Sequence, residues 1–110
     1  MITPPLWSSH SHEQDGVCTV SLAGELDFAG SGDLGHVLTG ALDRPGIIAV
    51  VADLADVTFL DSAALGALIA VYQHARQVSR RFTVTRPIPG VRRILEITGV
   101  FDLFTGRPPA

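Results

Sequence analysis

The order of the predicted elements indicates a single α/β domain: a mixed sheet of four to five strands with three to four helices. Apolar runs typical of strands alternate along the chain with segments whose apolar residues recur at helical spacing. An Asp-Gly pair, Asp15 and Gly16, predicts a hairpin near the amino end, which adds an antiparallel strand to the parallel strands that helices connect. The length of 110 residues, 46% of them hydrophobic, suits one core.

The first two predicted strands flank the Asp-Gly turn. Residues 6–12 are predicted to form a short edge strand, and residues 17–27 form the second strand of the hairpin, which Asp27 ends. From Cys18 to Leu22 apolar residues alternate with polar ones, so one face of this strand is expected to be buried. Cys18 is the only cysteine, so it cannot form an internal disulfide and is interpreted as a small buried hydrophobe.

A helix with a loose, glycine-rich first half is predicted from Phe28 to Leu42 and is stopped by Arg-Pro-Gly at 44–46. The following run, 47–54, is nearly all apolar, which predicts a central strand buried on both faces. Residues 55–61 are expected to bridge this strand to the next helix. The strand ends are predicted to bring together three aspartates at one edge of the sheet: Asp27, Asp53 and Asp61.

A second helix is predicted from Ser62 to about Val78, followed by a strand over 80–86. A short third helix is predicted within 87–99, with Pro89 near its start and Gly99 at its end. Val100 to Phe104 is predicted to add a last strand. The two ends of the chain, residues 1–5 and 106–110, are expected to be flexible.

The composition excludes several classes of partner. Eight basic residues against eleven acidic ones leave a net charge of −3, so we expect no direct binding to nucleic acid and no attraction to an anionic membrane. The start, MITPPLWSSH, lacks the basic and apolar segments of a secretory signal. The uncharged run from Ala63 to Tyr72 is too short to span a bilayer. We therefore expect a cytoplasmic protein without membrane insertion.

One acidic residue and one hydroxyl, Asp61 and Ser62, interrupt the apolar run FLDSAALGALIAVY at 59–72. Asp61 is placed to cap the second helix, which by itself explains the pair. At about 100° per residue, one side of this helix is apolar and is predicted to face the core: Leu65, Leu68, Val71, Tyr72 and Ala75. Ser62 lies elsewhere and begins a stripe of small, lightly polar residues: Gly66, Ala70, Gln73 and Gln77. Ile69 and Arg76 lie at one margin of this stripe. Such a face favours close approach of a partner, and a serine in the first helical turn can accept a phosphoryl group.

Three segments resemble the anti-sigma factor antagonists, the bacterial branch of the STAS domain family: LAGELD at 22–27, VADLADVTFLDSAALGAL at 51–68 and PGVRRILEITGVFDLF at 89–104. In that family the serine after the aspartate, here Ser62, is phosphorylated by an anti-sigma factor that is an ATP-binding serine kinase. The resemblance implies that the unphosphorylated protein captures the anti-sigma factor and frees a sigma factor, and that a phosphatase reverses the phosphorylation.

The resemblance implies no catalysis by the protein itself, and no cofactor or metal is predicted. The partner-binding residues are predicted to be Asp27, Asp61, Ser62, Ala63, Gly66, Ile69, Ala70 and Gln73. Two positions depart from the family pattern: Ala63 replaces a second hydroxyl residue and Ala64 a glycine. These changes bear on how efficiently the switch operates.

Other functions fit the residues less well. A magnesium or phosphoryl-transfer site built from Asp27, Asp53 and Asp61 is opposed by the absence of lysine, which phosphate-binding loops require. His10 and His12 would share one face of a strand, but no third metal ligand is evident. Arginines 80, 81, 92 and 93 are interpreted as solvated charges. A non-switching STAS domain, either a scaffold in a stress-sensing complex or a subunit of a lipid or anion transport system, remains as the alternative.

Overall fold

The computed structural model describes residues 6–105, and the expectation of flexible ends at 1–5 and 106–110 lies outside this range. Four strands form one sheet in the order β1-β2-β3-β4, with β1 antiparallel to β2 and the other neighbours parallel. The α/β fold with a mixed four-stranded sheet and four helices agrees with the sequence prediction. The strands are β1 (Trp7–Gln14), β2 (Val17–Leu26), β3 (Ala49–Leu60) and β4 (Arg81–Thr85), and the helices are α1 (Ser31–Leu42), α2 (Ser62–Gln77), α3 (Pro89–Ile97) and α4 (Phe101–Thr105).

The predicted hairpin is present. Asp15 and Gly16 link β1 to β2, and both have positive φ, at 53° and 81°. This is the geometry of a two-residue turn whose twist matches that of the flanking strands, and Asp-Gly tolerates it well. The turn fixes the register, so His10 pairs with Ser21 and His12 with Thr19.

The central strand β3 runs beyond its predicted end. The prediction placed a strand at 47–54 and a bridge at 55–61, but β3 continues to Leu60 and pairs with β2 as far as Leu26. Two register shifts in this pairing, between Ser21 and Ala23 and between Gly24 and Glu25, keep the strands paired through polar sequence. The prediction that both faces of this strand are buried is wrong for the face that carries Val51, because that side chain is only half-buried.

The helices α1 and α2 pack against each other and cover one face of the sheet. The core lies between them and the sheet, and Cys18 is fully buried there, as predicted. The first predicted helix begins later than expected, at Ser31, because residues Phe28–Gly30 form a separate 3-10 turn. No helix within residues 6–105 has both the length and the apolar character that crossing a membrane requires.

The predicted last strand, Val100 to Phe104, is wrong: residues Phe101–Thr105 form α4. Phe104 is fully buried, and its ring meets the edges of two other rings, Tyr72 at 6.3 Å and Phe82 at 5.9 Å between centroids. A helical turn delivers Phe104 to these aromatic partners on α2 and β4, and this burial outweighs the strand preference of the local apolar residues.

Two glycine substitutions test the packing of β2. Gly24 has φ of +99°, and a Cβ there would lie 2.2 Å from the Leu6 carbonyl oxygen. We expect Gly24→Ala to lower the free energy of unfolding by about 1–3 kcal/mol or more. Gly40→Ala in α1, where a Cβ meets nothing within 4 Å, is the matched control and is expected to raise it by about 0.5–1 kcal/mol. Urea unfolding measures both, and equal midpoints would contradict the prediction.

Candidate phosphorylation and docking face at the start of α2

The ends of two neighbouring strands bring Asp27 and Asp61 together. Leu26 pairs with Leu60 at the last register position of β2 and β3, and the Asp61 amide donates to the Leu26 carbonyl at 3.1 Å. Each aspartate is therefore the first residue beyond its strand. Both side chains begin a helical segment on the same edge of the sheet, as the strand order predicted.

The Asp61 carboxylate joins two backbone segments. One of its oxygens accepts from the Ala64 amide at 2.9 Å and caps α2, while the other accepts from the Phe28 amide at 2.9 Å. Asp27 caps the 3-10 turn by accepting from the amides of Ala29 and Gly30 at 3.1 and 3.4 Å. Both carboxylates thus bind amides in the first turn of a helical segment, which holds the backbone beside Ser62 in one position.

Ser62 is the first residue of α2 and is exposed. Within residues 6–105 its hydroxyl makes no hydrogen bond. Its stripe is accessible, and a Cβ at Gly66 would meet nothing within 4 Å. We call this surface the Ser62 face: Ser62, Gly66, Ala70 and Gln73 are exposed, and Ala63, Ile69, Asp27 and Asp61 are half-buried.

The opposite side of α2 packs into the core, as the helical wheel predicted. Leu65, Leu68, Val71 and Ala75 are buried, and so is Ala64. The methyl group of Ala64, where the family pattern has glycine, is accommodated inside the core while its amide still reaches the Asp61 carboxylate. The exchange of glycine for alanine therefore leaves the cap of α2 formed.

Two aromatic residues close in sequence to Asp27 and Asp61 have exposed side chains, which were not predicted. Phe28 is 80% exposed, although its amide is bound to the Asp61 carboxylate, and Phe59, two residues before Asp61, is 47% exposed. The sequence assigned Phe28 to a helix and Phe59 to a bridge, so neither was considered as surface. A large aromatic residue directly after a strand-ending aspartate was the available signal, because exposed loop aromatics often contact partners.

Asp53 does not join the other two aspartates, so its predicted place at their edge of the sheet is wrong. It lies inside β3, paired with Ser21 on one side and Thr85 on the other. The Asp53 carboxylate forms an ion pair with the Arg86 guanidinium and accepts from the Ala55 amide at 3.0 Å. The hydrogen bond from Arg86 lowers the pKa of Asp53 below its usual value. The three aspartates therefore do not form the cluster that a magnesium site would need.

Two comparisons establish the family. The STAS domain family model matches residues 9–109. A protein of Paenibacillus polymyxa named Anti-sigma F factor antagonist is 31% identical over 88 residues, which are 80% of this chain and 75% of that protein. The chain belongs to the STAS domain family, among the anti-sigma factor antagonists.

Solved structures of STAS domains share the fold. The crystal structure of an anti-sigma factor antagonist from Mycobacterium paratuberculosis superposes with a TM-score of 0.79 at 27% identity, covering 99% of this chain and 92% of that one. The anti-sigma factor antagonist SpoIIAA in its unphosphorylated form gives a TM-score of 0.75 at 16% identity, covering 93% and 89% of the two chains. This STAS domain therefore has the family architecture over nearly its whole length.

Substitution of Asp61 tests the double cap of this STAS domain. Asp61→Ala leaves two amides without their acceptor, so we expect it to lower the free energy of unfolding by about 1–2 kcal/mol. Asp61→Asn keeps one acceptor oxygen and is expected to cost less than the alanine. Urea unfolding of the two variants measures the difference, and an alanine variant as stable as the wild type would show that the carboxylate does not support the fold.

The ion pair of Asp53 predicts a pH dependence. Because the folded-state pKa of Asp53 lies below its unfolded value, the carboxylate stabilises the fold above about pH 4, and this contribution is lost as the pH falls through the folded pKa. We expect the stability advantage of the wild type over Asp53→Asn to be full at pH 6 and to shrink at pH 3. Urea midpoints at both pH values measure it, and an advantage that is constant with pH contradicts the prediction.

Proposed function

We propose that this protein is a partner-switching regulator of transcription in the cytoplasm. In its unphosphorylated form it captures an anti-sigma factor, which is an ATP-binding serine kinase, through the Ser62 face and so releases a sigma factor. Phosphorylation of Ser62 by that kinase ends the capture, and a phosphatase restores it. The observation that supports this most is the exposed hydroxyl of Ser62 at the start of α2.

The Ser62 face suits close docking of a protein surface. Its exposed residues are small or uncharged, and Gly66 leaves open space where other residues have a side chain. The rigid cap at Asp61 presents this surface in one conformation, which lowers the entropy cost of binding. Phe28, whose amide is bound to the Asp61 carboxylate, is exposed and supplies apolar area of the kind that anchors interfaces.

The local backbone can accommodate a phosphoryl group on Ser62. Among the described residues, the amides of Ser62 and Ala63 have no protein acceptor, whereas those of Ala64 and Leu65 bind the side chain and carbonyl of Asp61. Free amides at the positive end of a helix stabilise an anion. The fold is therefore expected to remain intact when Ser62 carries about −1.5 to −2 charge.

The same phosphoryl group changes what a partner meets. It adds negative charge beside Asp27 and Asp61, whose carboxylates already lie at this edge of the sheet. A partner surface that is complementary to the neutral hydroxyl and these two carboxylates binds the phosphorylated protein more weakly, because unfavourable juxtaposition of like charges costs several kcal/mol. One covalent modification thus controls the complex without unfolding the protein.

A phosphorylation assay tests the modified residue. Incubation of the protein with purified ATP-binding anti-sigma factors of the same organism and ATP is expected to add one phosphate, detected by intact-mass measurement. Ser62→Ala is expected to remain unmodified, while Ser11→Ala, which removes an exposed hydroxyl on β1, is expected to be modified like the wild type. Phosphate on Ser62→Ala at the wild-type level would refute the assignment.

Binding to the same anti-sigma factor tests the switch. Ser62→Ala is expected to bind in the presence of ATP as tightly as the wild type binds without it, and Ser62→Asp at least about tenfold more weakly. Ser11→Asp adds the same charge on β1 and is expected to leave the affinity unchanged. Equal binding of Ser62→Asp and the wild type would instead favour the non-switching STAS scaffold or transport subunit.

A further inference from the structure

A cavity of about 470 Å³ lies between the C-terminal half of α2, the start of β4 and α4. It is separate from the Ser62 face: Arg76, which lines it, is fourteen residues along α2 from Ser62, or roughly 20 Å at the rise of an α-helix. The proposed switch makes no use of it. Its volume falls within the range of about 300–1,000 Å³ that is usual for small-molecule sites.

Arginines dominate the polar lining of this cavity, and among residues 6–105 no acidic side chain lines it. Three arginines line it: Arg76, Arg80 and Arg81. Elsewhere in residues 6–105 the arginines mostly have carboxylate partners: Arg44 pairs with Glu13, Arg86 with Asp53 and Arg92 with Glu96. Of the arginines in this range that lack such a partner, only Arg93 lies outside the cavity.

Only one of the three lining arginines has a structural role that the contacts explain. Arg80 donates to the carbonyls of Leu42 and Arg44, at 2.8 Å for the latter, and so satisfies the C-terminal end of α1. It is therefore not the solvated charge that the sequence predicted. Arg76 and Arg81 are exposed and make no side-chain hydrogen bond within residues 6–105. Like charges gathered in one cavity repel each other, and a bound anion would relieve this repulsion.

Aromatic and apolar side chains form most of the remaining wall, together with Thr83 and Thr105. Tyr72 and Phe82 line the cavity, and both are held from behind by the buried ring of Phe104 at edge-to-face distances of 6.3 and 5.9 Å between centroids. Leu103 of α4 lines the same space and is 37% exposed. An anion that also carries an aromatic or apolar group would therefore bury this apolar surface, whereas an inorganic ion would leave the surface exposed to water.

From these contacts we infer that the cavity is a binding site for a small organic phosphate with an aromatic or apolar group. The planar guanidinium groups of Arg76 and Arg81 bind the phosphate, since guanidinium matches a phosphate dianion with paired hydrogen bonds. Tyr72, Phe82 and Leu103 contact the apolar group. Because the site lies at the far end of α2 from Ser62, its occupancy does not depend on the proposed phosphorylation.

The test is a titration of the whole chain, labelled with ¹⁵N, with 1-naphthyl phosphate followed by amide chemical shifts. We expect saturable shifts around the cavity, at Thr83, Leu103 and Thr105. Inorganic phosphate and 1-naphthol, the two halves of the probe, are each expected to bind at least about tenfold more weakly. 1-Naphthoate, a monoanion with the same ring, is expected to bind more weakly than the phosphate.

Matched arginine variants identify the anion contacts. The double variant Arg76→Gln/Arg81→Gln is expected to weaken binding of 1-naphthyl phosphate by about tenfold or more. Arg93→Gln removes the same charge outside the cavity and is expected to leave the affinity unchanged. Urea midpoints equal to that of the wild type confirm that each variant is folded; if the double variant is less stable, Arg81→Gln alone serves as the test.

Several results would overturn the inference. These are the absence of saturable shifts at the cavity, shifts confined to the Ser62 face, and an affinity for inorganic phosphate equal to that for the naphthyl ester. An Arg93→Gln variant that binds as weakly as the double variant would also overturn it, because the attraction would then come from the overall charge of the chain.

Discussion

The Asp61 carboxylate holds the end of β3, the start of α2 and the turn after β2 in one arrangement. Its two oxygens accept from Ala64 and Phe28, which lie on different segments far apart in the chain. Removal of either bond would leave a backbone amide without its acceptor in a part of the protein where the strands have just ended. The residue that fixes the fold at this edge is therefore also the residue that positions Ser62.

The Ser62 face and the arginine-lined cavity lie at opposite ends of α2. Asp27, Asp61 and Ser62 lie at its N-terminal end, where the strands β2 and β3 finish. Arg76, Arg80 and Arg81 gather at its C-terminal end, where β4 begins. The parallel strands produce this separation, because every strand-helix junction falls at one edge of the sheet and every helix-strand junction at the other. A single helix thus connects the proposed docking face and the proposed anion site.

Local signals were sufficient for most of the architecture. The Asp-Gly pair predicts its two-residue turn because both positions need positive φ, and the apolar spacing from Leu65 to Ala75 predicts the buried side of α2. Asp61 was predicted as a cap from its place before an apolar helix. Its second bond, to the Phe28 amide, could not be predicted, because nothing local shows how closely the end of β2 approaches the start of α2.

The predictions for the last strand and for Asp53 are wrong for the same reason: contacts between distant segments decide both. The local sequence from Val100 to Phe104 is compatible with a strand or with a helical turn. The helical turn forms because it buries Phe104 against the rings of Tyr72 and Phe82. The end of the apolar run near Asp53 predicts that the strand ends there. Pairing with β2 instead extends β3 to Leu60, so the Asp53 carboxylate lies beside Arg86 and not at the strand ends.

By itself the sequence determined the fold class, the hairpin, the helix that Asp61 caps and the exposed position of Ser62, since each depends on neighbouring residues in the chain. Only the tertiary structure decided the length of β3, the helical form of α4 and the gathering of three arginines around one cavity. These features depend on pairing and burial between segments that are distant in sequence, and such contacts outweigh local preference wherever that preference is weak.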